Sequence, residues 1–523
     1  MTARADRHPL LLALAAGAAG ALGFAPLGWW PLSLLALAVL IRLAGQARTA
    51  RRAFLIGWNF GLGHFTLGLN WIAHAFTYQD AMPHWFGYGA VLALSLFLAL
   101  YPGLATGALH VLRKRNRALP VAPLFAGIWV LTEYGRATIF TGFAWNPLGM
   151  IWLGTGVDQS ARWIGTYGLS ALAILAGGAV LACGRRRWTS GAPVLAALAG
   201  LALIGHLLLP GETSNTSANT PAITIVQPNI DQSAKYDPAL DQENFTRLAR
   251  LTGPSSPDRP RLVFWPEAAL PAWLDMEPEW RWALARLIGP HDLLMTGGVK
   301  VYFDDSQPPP PTGRKLIGAH NSAWVLTPDA RLIARYDKAH LVPYGEYLPM
   351  RAILQPLGLS RLVPGDTDFW PGPGPRSLAL PARPAQSAQP GRNALKMGVQ
   401  ICYEIIFSGQ VVDRKDRPAF LYNPSNDAWF GDWGPPQHLA QARMRAIEEA
   451  MPILRSTPTG ISAVIDGHGR LLAHVPHHQA GAINSRLPQA LAPTPFARFG
   501  NLLPLGLALA LIALAVATAR RRR

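Results

Sequence analysis

The chain has 523 residues, of which 50% are hydrophobic and only 15% are charged, and its formal net charge is +17 at pH 7. Ordinary soluble domains are roughly 25% charged, so the composition excludes a protein that is soluble along its whole length. A large positive charge can indicate a nucleic-acid-binding protein, but here the excess of basic over acidic residues lies beside apolar segments and not on a globular region.

Long apolar runs fill residues 8–210 and return at 501–519. A helix that spans a bilayer needs about 20 apolar residues. Eight runs fit this requirement, at residues 8–26, 29–45, 54–75, 87–111, 119–135, 163–183, 191–210 and 501–519. The first could instead be a cleaved signal peptide. A second run follows almost at once, across Pro26-Leu27-Gly28, and this spacing favours a helical hairpin.

The Lys and Arg residues between these runs predict the orientation of the protein. One set of flanks holds seventeen basic residues against one acid, Asp6, whereas the opposite short loops hold only Arg136 and Arg162. Positively charged flanks face the cytoplasm, so we expect both termini in the cytoplasm and residues 211–500 outside. Residues 211–500 are almost neutral, so the net charge reflects membrane topology, and we exclude a nucleic-acid partner.

The predicted organisation has four parts. Residues 1–210 form a membrane domain with seven transmembrane helices, 211–220 a linker, 221–500 a globular domain, and 501–523 an eighth transmembrane helix with a basic cytoplasmic tail. Short β-branched runs alternate with helical patterns in the globular part, which indicates an α/β sandwich. The predicted strands are 222–226, 261–265, 293–299, 322–326, 397–402, 419–422 and 461–465, and the predicted helices are 242–251, 279–287 and 437–449.

The chain has only two cysteines, Cys183 at the cytoplasmic end of the sixth run and Cys402 in the outer domain. A disulfide between them would have to cross the bilayer, which its short geometry excludes. Cys402 is therefore an unpaired thiol outside the membrane and a candidate nucleophile. We expect no metal site, because Pro476 argues against a helix that would pair His474 with His478 and no acid lies nearby.

Three polar residues follow strand-like runs. Glu267 lies at the carboxyl end of a predicted strand, where α/β sheets bind ligands. Lys338 lies in an aromatic loop stiffened by proline, eight residues before Glu346, and Cys402 ends an apolar strand and is followed at once by polar residues. Taken singly, each has a structural explanation: a capping carboxylate, a surface lysine or a buried structural thiol.

Taken together and in this order, Glu267, Lys338 and Cys402 resemble the catalytic residues of the nitrilase superfamily. The resemblance continues through the segments that begin at Asn423 and Gln437. With the multi-span N-terminal half and one terminal helix, the whole chain resembles the bacterial apolipoprotein N-acyltransferase family. The resemblance implies a nitrilase-like αββα sandwich on the outer side and no cofactor. It also implies that Cys402 is the nucleophile, Glu267 the general base and Lys338 the stabiliser of the tetrahedral oxyanion.

The resemblance further implies a set of supporting or substrate-binding residues, namely Glu346, Tyr403, Glu404, Tyr236, Trp429 and Arg136. Glu346 would orient Lys338, and Tyr403 and Glu404 would belong to the substrate pocket. Tyr236 stands where the family commonly has Trp, and either ring can supply an aromatic wall. Two interpretations of Arg136 stay open, a ligand for a lipid phosphate and an interfacial arginine that snorkels to the membrane surface.

The reaction implied by the resemblance has two steps. Cys402 takes an acyl chain from a phospholipid, typically phosphatidylethanolamine, and passes it to the α-amino group of the diacylglyceryl-cysteine of an apolipoprotein. We expect a monomer in the bacterial inner membrane with its catalytic domain on the periplasmic side. A membrane-tethered amidase or nitrilase that uses water as acceptor stays open. A transporter or receptor is disfavoured, because the runs carry few charges and no obvious repeat.

Overall fold

The computed structural model describes residues 8–78, 83–209, 220–235, 237–304, 306, 314–357, 361, 367–381 and 394–521. Tyr236 and residues 211–219 of the expected linker lie outside the described residues. The two domain boundaries expected on either side of that linker therefore stay predictions.

Each of the eight predicted apolar runs contains helix. The helices of the first half are α1 (Pro9–Ala21), α2 (Trp30–Gln46), α3 (Ala50–Gly68), α4 (Phe86–Leu98), α5 (Leu100–Arg115), α6 (Val121–Thr138), α7 (Ala161–Gly184) and α8 (Trp188–Leu207). Short 3-10 helices lie at Asn70–Tyr78, Leu148–Trp152 and Val157–Ser160. α1 and α3 pack backbone against backbone, because a Cβ atom at Gly17 would lie 1.9 Å from the Phe60 carbonyl oxygen. Small residues allow such close approach between membrane helices.

In the part of the chain that the structure describes, four helices are long and apolar enough to cross a membrane: Phe86–Arg115, Val157–Gly184, Trp188–Leu207 and Leu502–Arg521. α1 and α2 are apolar but shorter. The protein is therefore a membrane protein, while the number of eight spans stays a prediction. The third and fifth runs, which form α3 and α6, are not among the four.

The described residues of the globular part contain twelve strands in two six-stranded sheets. The first sheet has the order β12-β1-β2-β3-β4-β5, and the second has the order β11-β10-β9-β8-β7-β6. The strands are β1 (Ala222–Gln227), β2 (Arg261–Phe264), β3 (Leu293–Phe303), β4 (Leu316–Leu326), β5 (Leu332–Asp337), β6 (Ser377–Ala379), β7 (Lys396–Val399), β8 (Phe420–Pro424), β9 (Ile453–Ser456), β10 (Ser462–Ile465), β11 (Leu471–Val475) and β12 (Gly481–Arg486). In the two sheet centres, β1, β2 and β3 are parallel, as are β7, β8 and β9.

The two sheets pack face to face through aromatic side chains. The ring of Phe264 on β2 lies 5.1 Å from that of Tyr422 on β8. Side chains alternate across a strand, so Val263 and Trp265 point the other way, into a second apolar cluster with Leu248. Burial of both faces explains why the central strands are continuous apolar runs.

Helices cover the outer faces of the sheets. The remaining helices are α9 (Gln232–Lys235), α10 (Asp241–Thr252), α11 (Pro278–Ala285), α12 (Arg351–Leu354), α13 (Gly434–Glu449), α14 (Pro495–Phe499) and α15 (Leu502–Arg521), with 3-10 helices at Pro238–Leu240, Gln355–Leu357, Cys402–Ile406 and Asp427–Phe430. The domain is thus an α/β sandwich of the nitrilase type, as predicted. α13 is almost fully buried, because it packs against the second sheet and also against α7 of the membrane part.

Candidate active site

Cys402 lies in a tight turn directly after β7. The predicted strand reached Cys402, but β7 ends at Val399 and Cys402 begins a 3-10 turn with a φ of +51°. A left-handed conformation is uncommon for a residue with a side chain and costs about 1–3 kcal/mol. The Nε2 atom of His438 donates a hydrogen bond to the carbonyl oxygen of Cys402 (3.0 Å) and supports this conformation. The thiol is 4% exposed and receives a hydrogen bond from the backbone N–H of Asn426.

Glu267 and Lys338 each follow the end of a strand of the first sheet. Glu267 follows β2, and Lys338 follows β5 and is only 1% exposed. The Nζ atom of Lys338 lies 3.0 Å from Oε1 of Glu346 and 3.8 Å from Oε1 of Glu267. Within the described residues, Oε2 of Glu267 has no hydrogen-bond partner. That oxygen is available to accept a proton.

Asn321 holds the two carboxylates in place and was not identified from the sequence. Its Nδ2 atom donates to Oε1 of Glu267 (2.7 Å) and to Oε1 of Glu346 (2.8 Å). The backbone carbonyl oxygen of Asn321 accepts a hydrogen bond from the backbone N–H of Lys338 (2.9 Å). Asn321 directly precedes the predicted strand 322–326, so a polar residue at the edge of an apolar run was the available signal.

Charge in this cluster sets the protonation of Lys338 and Cys402. Burial opposes the charge of Lys338, but Glu346 and Glu267 outweigh it and raise the lysine pKa. Burial and the charge of Glu267 raise the pKa of Cys402 well above its usual range, against the opposing effect of Lys338. The resting state therefore holds a neutral thiol beside an ammonium group. Such a thiol needs a base before it can attack.

Glu404 lies outside the substrate pocket in which it was expected. Its Oε1 atom accepts from the hydroxyl of Tyr336 (2.8 Å) and the backbone N–H of Ala339 (2.7 Å), and Oε2 accepts from Ile401 (2.7 Å). Burial raises the pKa of Glu404 to about 7, although these amide groups favour its charged form. Glu404 therefore ties the turn that contains Cys402 to the loop of Lys338.

A cavity of about 1210 Å³ opens at the three candidate catalytic residues. Glu346, Tyr403, Trp429 and Arg136 also line it. Much of its remaining wall is apolar. One part of this wall comes from the membrane part, through α4 and the 139–143 segment, and another part comes from the loops after β1, β2 and β5. The volume lies above the range of about 300–1,000 Å³ that is usual for pockets that hold small ligands.

Arg136 lines the cavity and is buried, and both interpretations from the sequence stay predictions. It is 4% exposed and donates from Nη1 to the carbonyl oxygen of Trp145 (2.9 Å). Its guanidinium group also lies 5.2 Å from the centre of the Phe65 ring. Arg136 thus joins α6 to the segment that follows it and to α3.

One group of residues in the described part of the chain has metal-ligand geometry. Asp432, His477 and His478 each offer a ligand atom, and these atoms lie within 4.8 Å of one another. Asp432 and His478 are exposed, and none of the three lines the cavity. The group is thus separate from the candidate catalytic residues.

Comparison with known proteins gave consistent matches along most of the chain. The model of the apolipoprotein N-acyltransferase N-terminal domain matches residues 16–179, and that of the carbon-nitrogen hydrolases matches residues 223–493. The apolipoprotein N-acyltransferase of Rhodopseudomonas palustris is 35% identical over 511 residues, which cover 94% of this chain and 92% of the relative. The enzyme of the same name from Caulobacter vibrioides is 36% identical over 512 residues, which cover 95% and 92%. A solved nitrilase-superfamily structure from Saccharomyces cerevisiae matches with a TM-score of 0.33 at 18% identity and covers 52% of this chain and 93% of its own.

Proposed function

This chain belongs to the apolipoprotein N-acyltransferase family, and from that membership we propose that it N-acylates lipoproteins through a thioester on Cys402. Glu267 is the general base and Lys338 stabilises the oxyanion. The acyl donor is a phospholipid, with phosphatidylethanolamine as the preferred class. The acceptor is the α-amino group of a diacylglyceryl-modified apolipoprotein.

In the first half-reaction, Glu267 accepts the thiol proton while Sγ of Cys402 attacks the ester carbonyl carbon. The oxyanion that forms is stabilised by Lys338, an effect worth roughly 3–4 kcal/mol per donor in studied enzymes. When the intermediate collapses, the ester C–O bond breaks and Glu267 returns the proton to the glycerol oxygen. The products are an acyl-enzyme thioester and a lysophospholipid.

In the second half-reaction, the lipoprotein amine attacks the thioester carbonyl carbon. Glu267 accepts the amine proton, and the C–S bond breaks as the amide forms. The thiolate of Cys402 then takes the proton from Glu267, which restores the resting neutral thiol. No metal or cofactor is needed for either step, because the attacking group, base and electrostatic stabiliser are all side chains.

The observation that carries this proposal is the position of the three side chains on one wall of a large cavity that is otherwise mainly apolar. A neutral thiol, a carboxylate with a free oxygen and a buried ammonium group supply nucleophile, base and oxyanion stabiliser. The apolar wall suits acyl chains, and its membrane-domain part lets them enter from the bilayer.

The proposed setting is a bacterial inner membrane, with the catalytic domain on the periplasmic side, both termini in the cytoplasm and a monomeric chain. Charge asymmetry between the flanks supports this orientation. The relatives described above are all named acyltransferases, and no observation favours a membrane-tethered amidase over acyl transfer.

The proposal is tested by intact-mass measurement after incubation with phosphatidylethanolamine. The wild-type protein should gain the mass of one acyl chain, and Cys402→Ala should gain none while it stays folded and inserted. Cys183→Ala is the matched control, because Cys183 lies far from the cavity, and it should acquire the adduct normally. A normal acyl adduct on Cys402→Ala would show that another residue is the nucleophile.

A further inference from the structure

A second lysine faces the cavity beside the candidate catalytic residues. Lys235 ends the short helix α9, and its Nζ atom lies 3.4 Å from the carbonyl oxygen of Glu267. The helix is held in place from both sides, because Asn426 donates to the Gln232 side chain (2.7 Å) and Asn244 donates to the Ala234 carbonyl (2.9 Å). The amine is therefore directed at the cavity by a fixed element and not by a mobile loop.

Lys235 differs from Lys338, the other lysine that lines this cavity, in having no carboxylate within ion-pair distance among the described residues. Among the described residues the cations that line the cavity are Arg136, Lys235 and Lys338. Lys338 is paired with Glu346, and Arg136 is bonded to the Trp145 carbonyl oxygen. Within the described residues, the ammonium group of Lys235 makes one hydrogen bond, the long contact to the Glu267 carbonyl oxygen. Removing an ammonium group from water without a counter-charge is costly, so such a site favours an anionic ligand.

The charge of Lys235 is retained at neutral pH. Burial lowers the pKa of Lys235 to about 8, against the opposing effect of Glu267 and Cys402. An amine with this pKa is mostly protonated at pH 7. It is thus a half-buried positive charge in the cavity wall, next to the backbone of Glu267.

We propose that Lys235 binds the phosphate group of the phospholipid acyl donor. This inference rests on the proposed function, because it assigns a subsite for that same donor. In a glycerophospholipid the phosphate and the scissile ester are attached to one glycerol unit, so the phosphate must lie close to the carbon that Cys402 attacks. A lysine ammonium is a compact point charge that suits a phosphate oxygen.

The phosphate contact would place the donor before the reaction begins. Lys338 remains with Glu267 and Glu346 and acts on the reacting carbonyl, whereas Lys235 acts on a group that does not change during the reaction. Binding of an unreacting group lowers the donor concentration needed for saturation and leaves the rate at saturation largely unchanged. This difference separates a phosphate subsite from a second oxyanion stabiliser.

The test measures acyl-enzyme formation by the full-length protein in mixed micelles, with phosphatidylethanolamine or with the diacylglycerol that has the same chains. Lys235→Gln should raise the half-saturating phospholipid concentration about 10- to 100-fold, the size of a lost charged hydrogen bond. The rate at saturation should change little. Lys235→Arg should recover most of the affinity, and the diacylglycerol rate should be the same in wild type and Lys235→Gln.

Lys396→Gln is the matched control, because Lys396 pairs with Asp416 away from the cavity, and it should behave as wild type. A Lys235→Gln protein with unchanged phospholipid saturation would overturn the inference. So would an equal loss of saturated rate with both donors, which would place the amine on the reacting atoms. Thermal unfolding identifies a variant that is merely misfolded. An adduct that persists in Cys402→Ala would overturn the proposed function, and with it this subsite, whereas the Lys235 outcomes bear on the subsite alone.

Discussion

At the scale of single residues, the surroundings of Cys402 hold its thiol in the protonated form. Burial disfavours the thiolate, and Glu267 adds a second unfavourable term through its negative charge. Lys338 acts in the opposite direction but is itself engaged by Glu267 and Glu346. In the proposed mechanism the thiol therefore stays protonated until a substrate carbonyl is in place and Glu267 removes its proton. A protected resting nucleophile suits a compartment in which exposed thiols are oxidised.

This balance predicts the pH dependence of alkylation of Cys402 in a Cys183→Ser background. A free cysteine titrates near about 8.5, so its alkylation rate levels off above that pH. Because the pKa of Cys402 is raised, its thiolate fraction is lower at every pH below that value, and its rate with iodoacetamide should still rise above pH 9. Intact-mass measurement of the adduct over time gives the rates.

Removing one or the other of the two charges near Cys402 should shift the pH midpoint of its alkylation in opposite directions. Glu267→Gln removes a charge that raises the pKa, so the midpoint of alkylation should move to lower pH. Lys338→Met removes a charge that lowers the pKa, so the midpoint should move to higher pH. A wild-type midpoint at or below about 8.5, or a shift of both variants in the same direction, would contradict the electrostatic explanation.

At the scale of elements, helix α13 holds the turn of the nucleophile. His438 on α13 bonds to the Cys402 carbonyl through Nε2, and its Nδ1 atom lies 2.9 Å from Oδ1 of Asp427. Burial would raise the pKa of Asp427, but Arg455 and His438 outweigh it and lower the pKa to about 2. A series of buried polar groups thus connects Arg455 on β9, through Asp427 and His438, to the backbone of Cys402.

We predict that His438→Ala slows acyl-enzyme formation by about tenfold or more, because the left-handed turn at Cys402 loses its supporting bond and a buried carbonyl is left unpaired. The phospholipid concentration at half-saturation should change less than the saturated rate, because His438 does not line the cavity. The measurement is the acyl-enzyme rate at saturating donor, together with thermal unfolding. His474→Ala is the control, because His474 is exposed on β11. A saturated rate equal to that of the control would show that the turn needs no support from His438.

Sequence patterns predicted the apolar central strands and the amphipathic helices well. All seven predicted strands contain strand, and the predicted helix 437–449 lies within α13. Among the described residues five strands were missed, β5, β6, β9, β11 and β12, and two of these, β5 and β9, carry charged residues inside the sheet. Arg455 on β9 is fully buried, and it is tolerated there only because Asp427 neutralises it. A pattern of residues along the sequence does not show whether a buried charge has an ion-pair partner in another element.

The same limit explains what was found and missed at the candidate site. Glu267, Lys338 and Cys402 were identified by a resemblance that includes their order, and they do lie around one cavity. Asn321 and His438 were missed, because each acts through a contact with a residue distant in sequence. The local pattern marks such a residue at most as a polar residue beside an apolar run, as for Asn321, and does not show which residue it contacts.

At the scale of the whole molecule, the catalytic domain and the membrane part share one cavity wall. Gln437 on α13 accepts hydrogen bonds from Trp145 (2.7 Å) and Asn146 (2.9 Å) in the segment after α6. The Tyr403 hydroxyl, next to the nucleophile, donates to the Gly142 carbonyl oxygen (3.4 Å). The membrane part therefore does more than anchor the enzyme, because it forms one side of the cavity.

The charge asymmetry of the flanks predicts which side of the membrane this cavity faces. Single cysteines introduced as Ser306→Cys in the catalytic domain or Arg521→Cys at the end of α15, in a Cys183→Ser, Cys402→Ala background, report the two sides. Both positions are exposed. In cells with a permeable outer envelope but an intact inner membrane, an impermeant maleimide should label position 306 and leave 521 unlabelled until detergent is added, because basic flanks are retained in the cytoplasm. Labelling of position 521 in intact cells, together with protection of position 306, would show that the topology is the opposite of the one predicted. It would then place acyl transfer in the compartment where lipoproteins are made and not in the one to which they are exported, so the proposed acceptor would have to be reconsidered.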